Sequence, residues 1–417
     1  AERVLYGSYT QTQALSLSLA QATQMVDVHA RLIRHLEQYA GLDREVEFLP
    51  SEETINDRKV NHQGLVAPEL AVVMAYCKIR LFMRLLDSDL PEDDYLGHDL
   101  ERYFPPPLPE RYSARMRDHR LRREIIATVV ANQLADRAGV TFAFRLGEET
   151  GAAPSMLARG YAVAREVFGM RAFWSAVEDL DNKVEAGIQL QMLVEARRLV
   201  ERATRWLVQA SGGAIDIEAT LRQFEPGARM LSAAIPDVLE GVDREWYDGK
   251  AEELREAGVQ PELAARVASM PALFSVFDIV EVAEAIGREP EAVMVTHFRL
   301  GSRLDLNWLR DRIFDLPRAN RWQALARAAL RDDLYSLHRA LTREVLETAD
   351  GADSDVAIDQ WEQRNKPALE RCLSILADIK ASRNYDTTTL PVALREVRNL
   401  IGGGVGSAEE PLATAPQ

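Results

Sequence analysis

This chain is short of cysteine and of the sequence motifs that carry common enzyme chemistry. It has two cysteines in 417 residues, Cys77 and Cys372, far apart and each inside an apolar helical pattern. That is too few for a disulfide framework, and two reduced thiols packed as small hydrophobes are expected. No apolar run approaches the ~18 residues that a membrane span needs. No Gly-x-Gly-x-x-Gly follows a strand pattern, and no glycine-rich loop ends in Gly-Lys-Ser or Gly-Lys-Thr, so neither common phosphate cradle is written here. The one glycine cluster, Gly402-Gly403-Gly404-Val405-Gly406, follows a helix and leads into a tail. None of the seven histidines stands three places after a Glu, and no His-Glu-x-x-His occurs, which disfavours di-iron and zinc helices. No charged-then-apolar leader opens the chain, which begins on Ala1 inside a helical pattern; a cut from a longer polypeptide is expected. Cytoplasmic placement fits these features.

What is present favours helices. Hydrophobic residues make up 47 % and aromatics only 7 %, and Ala, Leu, Arg and Glu dominate, a mixture of strong helix formers. The formal charge of −15 opposes nucleic acid and anionic membranes as partners. Only six of the 50 basic residues are Lys. The fold class read from these features is all-α, a multi-helix domain with a weak internal repeat and no substantial sheet.

Proline and glycine punctuate the chain. Residues 10–40 read as one long helix ending at Gly41. Residues 45–49 read as a short extended link, and Ser51 as the N-cap of a small helix. Pro68 starts a helix that runs to about Leu86. Four prolines in residues 105–109 exclude a helix there, and one strong helix is expected from about Glu110 to Ala138, with Leu121, Ile125, Val129, Asn132 and Ala135 on its apolar stripe. Gly151-x-x-Pro154 resembles Gly287-x-x-Pro290, each a helix stop, a short turn and a proline-led start. Each copy leads to a long amphipathic helix, one through Met192 and Leu199, the other through Leu334 and Leu341; beyond Phe168 the two sequences align poorly. Residues 211–227 and 349–355 read as loops, and helices are expected at 358–382 and 391–401. The domain reading is a connector over 1–60, a helical domain over 61–401 (sub-units 61–210 and 211–401) and a disordered tail over 402–417.

Two polar features invite chemistry. Glu92-Asp93-Asp94 follows Pro91. A magnesium–diphosphate site would need a second, opposed carboxylate cluster, and Asp332-Asp333 is the sole other candidate. Carboxylates complementing a helix dipole fit the triplet better. The best local signal is His119, Arg122, Arg123 and Glu124, with Asn132 in line with the apolar stripe. It reads as a network joining packed helices through charge-assisted hydrogen bonds, or as a partner contact. No catalytic, cofactor-binding or metal-ligating residue is assigned.

Many segments, in order, resemble the C-terminal region of the large bacterial NAD-specific glutamate dehydrogenases. They include Val28-His29-Ala30-Arg31-Leu32-Ile33-Arg34, Pro68-Glu69-Leu70-Ala71-Val72, Ser88-Asp89-Leu90-Pro91, Tyr103-Phe104-Pro105 and His119-Arg120-Leu121-Arg122-Arg123-Glu124-Ile125-Ile126-Ala127-Thr128. Glu148-Glu149-Thr150-Gly151-Ala152, Ala164-Arg165-Glu166-Val167-Phe168 and Leu330-Arg331-Asp332-Asp333-Leu334 extend the match over roughly residues 10–348. The resemblance implies oxidation of L-glutamate to 2-oxoglutarate and ammonium with NAD, in a cytoplasmic homo-oligomer. It also implies an upstream catalytic domain that holds NAD and the chemistry, leaving this segment a structural, regulatory or assembly role. Two other readings remain open: an independent helical scaffold, and a magnesium-dependent lyase or transferase using Glu92, Asp93 and Asp94.

Overall fold

A computed structural model describes residues 2–105, 107–348 and 353–402, and among these every regular element is a helix. The chain folds as two compact units: residues 1–236, 246–276 and 319–321 make up the first, and residues 237–245, 277–318 and 322–417 the second.

The first unit opens with α1 (Glu2–Ala20) and α2 (Val26–Ala40). These are two helices where the pattern predicts one. Ala22 and Met25 are buried within the turn at 21–25 and Val26 just after it, so apolar spacing runs through the break and does not reveal it. The neighbouring loop approaches closely there: a Cβ on Gly64 would lie 2.3 Å from the Ala22 carbonyl carbon. Gly41 caps α2 at φ 67°, as its position predicts. Residues 44–48 are a turn and not an extended link, because Asp43 Oδ1 accepts from the Glu45 and Val46 N–H groups at 3.0 and 3.1 Å. Ser51 Oγ accepts from Thr54 N–H at 3.1 Å and caps α3 (Glu52–Val60).

Then come α4 (Ala67–Leu86), a 3-10 turn (Leu90–Glu92), α5 (Gly97–Tyr103), α6 (Leu108–Arg117) and α7 (Arg122–Gln133). The predicted helix over 110–138 is thus interrupted. His119 Nδ1 accepts from Leu121 N–H at 3.1 Å, a local bond that competes with the helical ladder. The core stripe of α7 is Ile126, Ala127, Val130 and Ala131; Leu121 is exposed. A five-residue π-helix (Leu134–Ala138) follows and stops at Gly139.

Helices α8 (Phe142–Thr150), α9 (Pro154–Val167), α10 (Met170–Glu178) and α11 (Ala186–Ala210) come next, with α9 packed on α11. Gly160 permits that approach, since a Cβ there would meet Thr204 at 3.3 Å. The loop expected over 211–227 ends by residue 216: α12 (Ile217–Val238) contains Pro226 and Pro236, and Asp216 Oδ1 receives the Ala219 N–H at 2.9 Å. Proline interrupts the ladder locally without ending this helix. Helices α13 (Gly241–Glu256) and α14 (Pro261–Leu273) follow.

The second copy of the turn motif consists of α15 (Val276–Ile286), α16 (Pro290–Arg303), α17 (Leu306–Asp315) and α18 (Arg321–Thr348). Its backbone repeats the first at an offset of 136 residues. Gly151 and Gly287 have φ 71° and 65°, and α9 and α16 have 14 residues each. Their C-caps, Phe168 and Leu304, share φ −95° with ψ 6° and 9°. The next residues, Gly169 and Asp305, are both left-handed at φ 58° and 55°. The shared backbone pattern therefore reaches past Phe168 to Gly169 and Asp305, where side-chain identities cease to show it.

The second unit closes with α19 (Ser354–Arg364), α20 (Lys366–Ser382) and α21 (Leu390–Arg398). The single helix expected over 358–382 is broken at Asn365, whose Nδ2 donates to Trp361 O at 3.1 Å just before Pro367. Leu334, Leu341, Trp361, Cys372, Leu394 and their neighbours form its core. The tail expected over 402–417, and most of the loop at 349–355, lie outside the described residues.

Candidate functional site

The sequence-predicted network divides. Glu92, in the 3-10 turn after α4, pairs with Arg123 and, at 3.4 Å, with Arg122. Arg123 Nη2 also donates to the Leu86 and Ser88 carbonyls at 2.6 and 3.1 Å, tying the start of α7 to the end of α4. His119 serves the turn before α7 and lies near Phe104, with ring centroids 5.8 Å apart. Glu124 and Asn132 sit half-buried along α7 and do not join this network. The acidic turn itself is held by arginines, since Arg159 reaches Asp93 and Asp89 at 3.1 Å. Each of Asp332 and Asp333 also has an arginine beside it, Arg331 and Arg398.

A denser cluster lies deeper in the first unit. Arg165 is 1 % exposed on α9, and its Nη1 donates to Asp99 Oδ2 on α5 at 3.1 Å. Arg165 also bonds Gln133 at the end of α7, and its Nε donates to Glu166 Oε1 at 2.7 Å. Arg171 on α10 donates to Asp99 Oδ1 at 2.5 Å and to Glu166 Oε1 at 3.0 Å. Burial pushes the Asp99 carboxyl up, but Arg165, Arg171 and Arg102 outweigh it and hold Asp99 below its usual range. Burial likewise opposes the Arg165 charge, and Asp99 with its neighbours more than restores it. Beside them burial pushes the Tyr161 phenol up to about 12. Arg197 on α11 has burial against it, is lowered to about 10, and donates to the Asp136 and Arg137 carbonyls at 3.1 Å. Those carbonyls end the π-helix, where the backbone dipole favours a cation.

Sequence reasoning missed this cluster because its members are remote: Asp99 and Arg165 are 66 residues apart. One signal was available, a charged Arg165 on the same apolar stripe as Leu157, Tyr161 and Ala164. Chemically the cluster clamps α5, α7, α9 and α10 together through ionised, hydrogen-bonded groups. Both thiols are buried and pushed up to about 12, which keeps them protonated and unreactive. Among the described residues no three His, Cys, Asp or Glu side chains are grouped to hold a metal ion.

A helical assembly clamped by arginine–carboxylate pairs is the class that this fold defines. Residues 62–399 match the family model for the C-terminal region of glutamate dehydrogenase, and the chain belongs to that family. It is similar to the NAD-specific glutamate dehydrogenase of Pseudomonas aeruginosa, 38 % identical over 398 residues. That match covers 95 % of this chain and 25 % of the relative. The enzymes of the same name from Halomonas elongata and Mycobacterium tuberculosis are 36 % and 34 % identical, each over 96 % of this chain and 25 % of the relative. The chain thus spans about a quarter of the length of the curated relatives it matches.

Proposed function

We propose that this chain is the C-terminal helical segment of an NAD-dependent glutamate dehydrogenase, with the chemistry in sequence upstream of it. The parent reaction is L-glutamate, NAD and water to 2-oxoglutarate, ammonium and NADH. The observation that carries this reading is the end-to-end match to three enzymes of that name over 95–96 % of this chain. In this reading NAD and substrate are held by the upstream domain of the same polypeptide, and the parent is a cytoplasmic homo-oligomer. The Arg165–Asp99 clamp and the Glu92–arginine turn give this segment a rigid helical frame, supporting a structural or assembly role. The test is the intact polypeptide supplied with L-glutamate and NAD. NADH formation that depends on both supports the reading. A pure, folded polypeptide that forms no NADH from glutamate, while oxidising another substrate, overturns it.

A further inference from the structure

Helix α4 is apolar on both faces. Leu70, Val73, Met74, Cys77, Leu81 and Leu85 enter the core of the first unit. On the other side Ala71, Ala75, Ile79 and Met83 recur at every fourth position, and all four are exposed. They form an uncharged stripe more than three turns long, about 18 Å at the helical rise. The basic residues of α4 mostly turn aside from it. Lys78 Nζ donates to Asp136 at 2.9 Å, and Arg80 lies 5.7 Å from the centre of the Tyr39 ring. A helix at a free surface normally presents polar residues outward; one that is apolar all round is covered on both sides.

The turn at 43–48 continues this surface. Tyr76, on α4, donates its hydroxyl to Glu47 Oε1 at 2.7 Å, fixing the turn beside the stripe. Next to Glu47 stands Phe48, 89 % exposed, with φ 53°. A bulky aromatic residue is uncommon in the left-handed region; here it closes the turn, with Leu49 N–H donating to Arg44 O at 2.9 Å, and its ring stays exposed. Exposed Val46 extends the patch, and Tyr39, beside the Arg80 guanidinium, stands at its charged edge. Aromatic and aliphatic groups exposed together on a surface mark a contact site.

We propose that this face, centred on Ala75, Ile79 and Phe48, docks against an apolar surface of the sequence upstream of this chain in the same polypeptide. The proposal rests on the reading given under Proposed function. Three quarters of each relative's length has no counterpart here, so most of the parent is available to cover the face. Phe48, Val46 and Tyr39 lie before residue 62, where the match to the C-terminal family model begins, and Ile79 and Met83 lie after it. The patch therefore joins the family's C-terminal region to what precedes it. A tethered partner is favoured over a free one by its high effective concentration.

The intact polypeptide carrying Ala75→Cys, and separately Met83→Cys, is alkylated with a maleimide in buffer and in urea, and the rate at each position is read by peptide mass spectrometry. A covered face slows alkylation in buffer on the order of tenfold or more, because reaction must wait for local opening. A photo-crosslinking residue at Ile79, in a mixture of isotopically light and heavy protein, reports the neighbour. Links within one copy to sequence preceding residue 1 support the proposal. Alkylation in buffer as fast as in urea overturns it, as do links to a second copy. Glutamate-dependent NADH formation is measured on the same samples. A protected face on a polypeptide inactive with glutamate refutes the enzymatic reading alone, and a bare face on an active enzyme refutes the docking alone.

Discussion

Arg165 and Asp99 form an ion pair at 3.1 Å with side chains 1 % and 2 % exposed, and Arg171 and Arg102 converge on the same carboxylate. Removing the anion takes from buried Arg165 the carboxylate that its Nη1 reaches and leaves it Glu166 at Nε. Asp99→Asn is expected to destabilise the first unit by ~3–5 kcal/mol, the usual cost of breaking a buried pair from one side. Urea midpoints of the two proteins check this. A loss below about 1 kcal/mol, the range of exposed pairs, would show that Asp99 does not hold the clamp.

In the second unit His297 and His338 stack with ring centroids 3.7 Å apart. Burial lowers both, His338 to about 4 and His297 well below its usual range. The unfolded chain therefore takes up protons first as pH falls. Stability is full above about pH 6.5 and declines from there toward about pH 4, by up to ~1.4 kcal/mol per pH unit for each histidine. Urea titrations between these limits should show the decline, and His338→Gln should reduce its slope. A flat profile would refute this account.

Gly64 and Gly249 should respond oppositely to alanine. A Cβ at Gly64 would collide with the Ala22 backbone, which has no flexible side chain to move aside. Gly64→Ala is expected to cost ~1–3 kcal/mol, as overpacking does. Gly249 lies within α13 with nothing within 4 Å of an added Cβ. Gly249→Ala should stabilise by ~0.5–1 kcal/mol through helix propensity. Thermal melts of the two variants decide; the same sign for both counts against the structure.

Asp305 occupies the left-handed position that Gly169 holds in the other copy. Asp305→Gly should change stability by less than ~1 kcal/mol, losing only the bond from Lys380 at 2.8 Å while easing the backbone. Asp305→Val should cost more, since a β-branched residue resists this conformation. Equal effects would argue against the repeat's shared geometry.

The sequence was most legible where one residue decides the backbone. Gly41, Ser51, Gly151, Pro154 and Pro290 mark boundaries through local sterics and capping, and the structure places helix ends at each. Breaks made by other means were not legible. The turn at 21–25 contains neither Gly nor Pro, and the break before α7 depends on a histidine bonding its own neighbourhood. The loop expected over 211–227 erred in the opposite sense, because α12 begins at Ile217 and absorbs Pro226. Of the candidate site, Arg122 and Arg123 could be found from their local run. Their partner Glu92, about thirty residues away, and the Asp99–Arg165 pair arise from tertiary proximity that no spacing encodes.

The corner at residues 21–25 has a mechanical meaning. A continuous helix over 10–40 would act as a stiff rod, carrying twist or thrust from one end to the other. Two short helices meeting at a turn, with Gly64 pressed on Ala22, act as a joint. Gly64 thereby ties this turn to the loop that leads into α4, so a change of packing at residues 21–25 is felt there.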